Sequence, residues 1–145
     1  FSDLTYLEDS GCEIDGLKFW GSPVQPTFFN WAFNRDRGSD IIRHWNKIPT
    51  DTDVLITHGP PYGICDKAPR GYNMTEHAGC KDLLDATLRI APKLHVFGHI
   101  HFDGQTQYIA PKTTYANVSM LNEAYLVWGK PTVFDIDNDK NVSIV

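Results

Sequence analysis

Two stretches of the sequence, Asp53-Val-Leu-Ile-Thr-His58 and Leu94-His-Val-Phe-Gly-His-Ile-His101, decide the fold. In each, a short and almost wholly apolar run, typical of a strand buried on both faces, ends directly in a histidine-bearing turn. In open sheets with helical connections, ligands gather just beyond the carboxyl ends of the strands. We therefore expect the two strands to be neighbours and His58, His99 and His101 to lie close together.

The segments around these strands carry further periodic patterns. Apolar residues at helical spacing predict helices over residues 40–47 and 76–89, the first with Ser39 or Asp40 as its cap. Residues 22–34 contain two prolines and an aromatic cluster, which predict a loop. Short apolar runs bounded by turn residues predict additional strands at 4–7, 12–15, 17–21, 105–109, 113–118, 132–136 and 142–145. No repeat, low-complexity tract or linker interrupts residues 1–145, so we expect a single unit.

Composition excludes several classes of protein. The chain has 145 residues and a formal net charge of −5, with no cluster of Lys and Arg, which argues against a partner that is a nucleic-acid polymer. No apolar run approaches the roughly 18 residues of a membrane span, so no membrane partner is expected. Cys12, Cys65 and Cys80 are odd in number and form no C-x-x-C motif, which favours a reducing, cytoplasmic location.

The spacing of the histidines is the strongest chemical signal. In an extended segment His99 and His101 project to the same side while Ile100 points into the core, and Gly98 gives the strand a tight exit. A single histidine at a strand end is usually a hydrogen-bonded structural residue, but a pair directly after an apolar strand has little packing rationale. Imidazole is a common ligand of Zn, Fe, Ni and Mn, so we interpret this pair and His58 as metal ligands. The other three histidines are expected to be structural: His44, His77 and His95.

Val54-Leu-Ile-Thr-His58 and Val96-Phe-Gly-His-Ile-His101 resemble the last two motifs of the calcineurin-like metallophosphoesterases. Further segments are similar to the branch of metallophosphoesterase-domain proteins described as cyclic-nucleotide phosphodiesterase-like: Leu7-Glu-Asp-Ser-Gly11, Phe19-Trp-Gly-Ser-Pro23, Phe29-Asn-Trp-Ala-Phe33, Thr57-His-Gly-Pro-Pro-Tyr-Gly63 and Gly79-Cys-Lys-Asp-Leu-Leu84. The resemblance covers nearly the whole chain. It implies an α+β fold, the C-terminal half of a four-layer αββα sandwich.

The resemblance also implies a mechanism and its cofactors. Two divalent transition metals, Mn, Fe or Zn, would hold a phosphoester while a hydroxide that bridges them attacks phosphorus. Carried over by position, His58 and His99 would bind one metal and His101 the other. The family's D-x-H, G-D and G-N-H-D/E motifs, which include its catalytic residues, would lie upstream of residue 1, so activity is expected to need that half.

The implied substrate is a small phosphoester, and a phosphodiester such as a cyclic nucleotide is favoured. From loop position and resemblance, Asn30, Trp31 and Phe33 are candidates for stacking on a base or closing the site, and Asn117 for lining it. Phe102, where the family often has a small residue, either narrows the pocket or packs.

Three alternatives remain open at the level of sequence. The first is an inactive remnant or metal-binding module that keeps three histidines without the rest of the site. A hydrolase with a serine or cysteine nucleophile is disfavoured, because the sequence has no G-x-S-x-G elbow. A structural zinc site would need a fourth ligand such as Cys65 or Asp66. The sequence leaves the oligomeric state open.

Overall fold

The computed structural model describes residues 4–145 and contains an α+β arrangement of short strands and two helices. The elements follow in this order: β1 (Ser10–Ile14), β2 (Leu17–Ser22), β3 (Gln25–Pro26), β4 (Asn34–Arg35), α1 (Ser39–Trp45), β5 (Val54–Thr57), β6 (Lys67–Pro69), β7 (Thr75–His77), α2 (Lys81–Ile90), β8 (Leu94–Phe97), β9 (Gln107–Ile109), β10 (Thr114–Asn117), β11 (Phe134–Ile136) and β12 (Val142–Ile144).

A six-stranded sheet in the order β1-β2-β5-β8-β10-β9 organises the chain. Its four central strands are parallel, and each edge strand is antiparallel to its neighbour. Helix α1 lies in the connection from β2 to β5, and α2 lies in the connection from β5 to β8. Strands β5 and β8 are therefore adjacent and run in the same direction, as the two apolar runs of the sequence predict.

One face of this sheet and the two helices enclose the hydrophobic core. Trp20 and Leu55 occupy paired positions on β2 and β5, so they share a face, and Leu55 is fully buried there. Helix α1 contributes Ile41 and Trp45, and α2 contributes Leu83. Within residues 4–145, no helix has the length and apolar character needed to span a membrane.

Several local predictions differ from the structure. The segment 22–34, predicted to be a loop, contains the short strand β3 and the first residue of β4, which pair with each other. Residues 4–7 form no strand. Helix α1 is capped by Gly38, with a φ of 85°, and not by Ser39 or Asp40. Helix α2 begins at Lys81 and not near Glu76, because Thr75–His77 forms strand β7 and pairs with β6. The four-layer αββα sandwich remains a prediction.

His95 is a buried structural histidine, as expected, and its tautomer follows from its partner. The Thr57 hydroxyl donates to the carbonyl of Gly59 at 2.8 Å, so its oxygen accepts from Nε2 of His95, also at 2.8 Å. Nδ1 of His95 is buried and has no partner among the described residues. Burial therefore lowers the pKa of His95 from 6.5 to about 3, because a second ring proton would have no acceptor.

This burial predicts a pH dependence of stability. Below pH 6.5 the unfolded chain binds a proton at His95, while the folded chain does not until the pH reaches about 3. The free energy of unfolding should therefore decrease as the pH is lowered through this window. His95 contributes up to about 1.4 kcal/mol per pH unit to this decrease. Urea unfolding of the wild type and His95→Phe between pH 7 and 4.5 measures it. An identical slope for both proteins would contradict the prediction.

Candidate functional site

The turns that follow β5 and β8 are joined to each other directly. The amide of Gly98 donates to the carbonyl of His58 at 3.0 Å, which holds the two turns side by side. As a result the imidazoles of His58 and His99 lie with ring centroids 4.6 Å apart and planes inclined by 42°. Parallel strand pairing thus brings together two histidines that are distant in the sequence.

The backbone from Gly98 to His101 is not extended, as the sequence had predicted, but turns sharply at His99. His99 has a φ of 69°, in the left-handed region, and the amide of Ile100 donates to the carbonyl of Gly98 at 2.8 Å. The tight exit from the strand is therefore made at His99 rather than at Gly98. A non-glycine residue in this conformation is costly and is concentrated at functional sites.

The electrostatic setting keeps the two rings neutral. Burial lowers the pKa of His58. Burial, together with repulsion from His58 and His101, lowers the pKa of His99 to about 4. No described residue hydrogen-bonds to a ring nitrogen of His58 or His99. At neutral pH both rings therefore have nitrogen lone pairs available to a ligand.

His101 is oriented by the protein. Its Nδ1 lies 3.0 Å from the carbonyl oxygen of Asn122, and since a carbonyl can only accept, Nδ1 carries the proton. In the neutral ring, Nε2 is then the nitrogen with the free lone pair. This is the arrangement that fixes the tautomer of metal-binding histidines, whose second ring nitrogen donates to a carbonyl or carboxylate.

The donor set fits a transition metal in part. With metal–nitrogen bonds of about 2.1 Å, two imidazoles on one ion have ring centroids on the order of 5 Å apart, close to the separation of His58 and His99. Among residues 4–145, however, no group of three or more His, Cys, Asp and Glu side chains is close enough to hold one ion. The metal-ligand roles of His58, His99 and His101 therefore remain predictions.

All three histidines line one cavity of about 570 Å³. Other residues that line it include Phe28, Trp31, Arg37, Glu76, Glu123 and Tyr125. The volume is within the range of small-molecule sites.

One wall is made by the loop between β3 and β4. The rings of Phe28 and Trp31 meet His99 edge-on, with centroid distances of 5.5 and 5.8 Å. Trp31 lines the cavity, whereas Asn30 and Phe33 are not among the residues that line it. Contact of these three residues with substrate remains a prediction. Phe28 was not singled out from the sequence, and only its place in the aromatic cluster pointed to it.

Asn34 holds this aromatic loop in shape. Its side-chain oxygen accepts from the amide of Phe28 at 3.2 Å, and its side-chain nitrogen donates to the carbonyls of Phe28 and Phe29 at 3.3 and 3.0 Å. The same oxygen accepts from Gln25 at 3.2 Å. These contacts replace the strand pairing that the loop lacks.

Substituting Asn34 by alanine should therefore loosen the aromatic wall. We expect the free energy of unfolding to fall by about 1–2 kcal/mol and the Phe28 amide to lose its protection from hydrogen exchange. Asn34→Asp keeps the acceptor and removes the donors, so it should retain protection at Phe28 while destabilising the loop. Amide exchange across residues 27–35 measures both effects, and unchanged exchange in Asn34→Ala would contradict this role.

A second part of the cavity lining depends on Asn122. Its carbonyl holds His101, and its side-chain oxygen accepts from the amides of Ala124 and Leu126 at 2.9 and 3.1 Å. The turn so formed places the ring of Tyr125 edge-on to His101, with centroids 5.1 Å apart. This part of the lining could not be predicted from the sequence, because it depends on contacts with a distant turn.

Asp66 is fully buried and joins the segment after His58 to the segment that precedes α2. Its carboxylate accepts from the amides of Gly63 and Gly79 at 2.8 and 2.9 Å and from Nδ1 of His77 at 2.6 Å. Gly79 cannot carry a side chain here, because a Cβ would lie 2.5 Å from the carbonyl oxygen of Pro61. The hydrogen-bond partners of Asp66 are therefore Gly63, His77 and Gly79, and none of the three cavity histidines is among them.

Two other candidates lie outside the lining of the cavity. Asn117 is buried, with its side-chain nitrogen donating to the carbonyls of Cys65 and Ile100 at 3.1 and 2.9 Å and its oxygen accepting from the amide of Ser119. Its contact with substrate remains a prediction. Phe102 is half exposed and does not line the cavity.

Similar proteins share most of this chain. It is 41% identical over 141 residues to metallophosphoesterase domain-containing protein 1 of Homo sapiens, a match that covers 97% of this chain and 42% of that protein. A UPF0046 protein of Caenorhabditis elegans is 42% identical over 142 residues, covering 93% of this chain and 33% of that protein. The chain thus spans less than half the length of these relatives.

A solved crystal structure shares the fold with a TM-score of 0.50 and 18% identity, covering 77% of this chain and 44% of that one. No family model matches the chain. The names and identities of the relatives nevertheless support a metallophosphoesterase-related family for this protein.

Proposed function

We propose that this chain supplies the C-terminal half of a site that hydrolyses phosphodiesters, cyclic nucleotides among them, with divalent transition metals. The observation that carries the proposal is the pair formed by His58 and His99, whose rings lie 4.6 Å apart and are held neutral with unpartnered nitrogens. The names of the relatives support the same class of chemistry.

The three cavity histidines would bind two different metal ions. His58 and His99 would hold one metal, and His101, with Nε2 freed by Asn122, would hold the other. When bound, such ions supply Lewis acidity and an activated water at neutral pH. Ligands from the part of the relatives that this chain does not span would complete both coordination shells.

The cavity walls suit an organic group attached to the phosphoryl. Phe28 and Trp31 beside His99, and Tyr125 beside His101, present aromatic surface next to the histidines. A planar base or aromatic ring could pack against either wall, which favours substrates with an aromatic group over small aliphatic phosphoesters.

Metal binding and hydrolysis test the proposal separately. After treatment with a chelator, the chain should bind Mn²⁺ or Zn²⁺ in calorimetric titrations, and a version extended to the length of the relatives should hydrolyse bis(p-nitrophenyl) phosphate. Binding without hydrolysis, both in this chain and in a version extended to the length of the relatives, would favour a metal-binding module. Absence of metal binding in both would overturn the proposal.

A further inference from the structure

Arg37 is a cavity residue that the metal chemistry does not use. It lies in the segment between β4 and α1, and its side chain reaches across to the segment that connects β7 with α2. One terminal nitrogen donates to the carbonyl of Gly79 at 2.9 Å, and the other donates to the carbonyl of Ala78 at 3.1 Å. The guanidinium group is thus fixed at both of its terminal nitrogens.

The contacts that fix Arg37 include no ion pair. Carbonyl oxygens are neutral, and no carboxylate among the described residues forms an ion pair with Arg37. Glu76, which also lines the cavity, is paired with Arg70 instead. Of the five N–H donors of a guanidinium group, two are used, so three remain for a ligand.

The histidines are connected to Arg37 through a short chain of contacts. Gly79, which holds the guanidinium group, precedes Cys80, whose amide donates to the carbonyl of Pro60 at 3.0 Å. Pro60 is two residues beyond His58 on the same turn. A preorganised cation and the histidine cluster therefore face one cavity from connected segments.

We propose that Arg37 recognises the substrate's phosphoryl group, donating to one of its non-bridging oxygens, and so selects anionic phosphoesters over neutral esters. A planar guanidinium group that retains several free donors is well suited to phosphate oxygens, and positioning by carbonyls reduces the entropy lost on binding. This inference deepens the function proposed above and rests on it for the identity of the substrate.

Binding of inorganic phosphate in the presence of EDTA tests Arg37 without any metal. Addition of phosphate should shift the Nε–H signal of Arg37 in nitrogen-15 spectra, and Arg37→Gln should weaken the affinity for phosphate about tenfold or more. Arg37→Lys keeps the charge and should lose less of the affinity for phosphate. Arg43→Gln is the matched control, because Arg43 is exposed and paired with Asp40.

Kinetics then separate recognition from a structural role. In an active protein, Arg37→Gln should raise KM about tenfold with little change in kcat, since the contact exists in both ground and transition states. Equal phosphate affinity in the wild type and Arg37→Gln would overturn the proposal. Equal losses in the Gln and Lys variants with a lowered Tm would also overturn it, in favour of a tie between segments. A wild type that binds phosphate through Arg37 but hydrolyses nothing would contradict only the proposed reaction.

Discussion

In a version of the protein extended to the length of the relatives, replacing His99 by alanine should reduce metal-dependent phosphodiester hydrolysis by more than a hundredfold. The ring of His99 is one of two neutral imidazoles 4.6 Å apart, so its loss removes half of the donor pair. Changing residues that merely support a metal ligand lowers metal affinity or activity about 10–100-fold, and loss of the ligand itself should lower activity further. Hydrolysis of bis(p-nitrophenyl) phosphate with Mn²⁺ measures the effect.

The fold should survive this substitution. Histidine and alanine both carry a Cβ, so the strain associated with the φ of 69° is largely unchanged, and no hydrogen bond of the ring is lost among the described residues. His77→Gln is the control, because His77 is an imidazole that does not line the cavity and should leave activity within a few-fold of wild type. Full activity of His99→Ala with added Mn²⁺ would contradict the assignment of His99 as a ligand.

Substituting Asp66 by alanine should lower the free energy of unfolding by about 3–5 kcal/mol. The carboxylate is fully buried and accepts from the amides of Gly63 and Gly79 and from His77. Its removal leaves two backbone donors without a partner in an enclosed site, which is more costly than the loss of an exposed bond. Urea unfolding at pH 7 gives the difference.

Two variants calibrate this effect. Asp66→Asn keeps one acceptor oxygen and should lose about half as much stability. Asp103 also accepts a backbone amide, that of Lys67 at 2.9 Å, but in an exposed setting, so Asp103→Asn should cost less than about 1 kcal/mol. A loss for Asp66→Ala no greater than that for Asp103→Asn would refute the role of Asp66 in joining the two segments.

The sequence predicted the parts of the structure that depend on local pattern. The runs of β5 and β8 are almost wholly apolar, which is typical of strands buried on both faces in the middle of a sheet. Their pairing, and the position of the histidines at their ends, could therefore be predicted. The start of α2 was misplaced because Glu76 and His77 are compatible with a helix, and only pairing with β6 makes that segment a strand. Tertiary contacts outweigh helix propensity at such a boundary.

The rest of the site could not be predicted because it is built from distant contacts. Arg37 and Asp66 each act on Gly79, and neither connection is encoded in spacing. The left-handed backbone conformation of His99 was also not predicted, because the adjacent Gly98 was expected to make the tight exit from the strand. The close approach at Gly79 was the available signal, as a glycine before a helix suggests that another part of the chain comes near.

The hydrogen bond between Gly98 and His58 ties ligand affinity to the folding transition. His58 and His99 are 41 positions apart in the chain, and only completed pairing of β5 with β8 brings them together. An ion that needs both rings binds the native state and hardly the unfolded one, so it stabilises the fold by mass action, by about 2.7 kcal/mol at a hundredfold excess over its Kd. Midpoints of thermal unfolding would then rise with metal concentration, and metal supply would set how long the chain survives proteolysis.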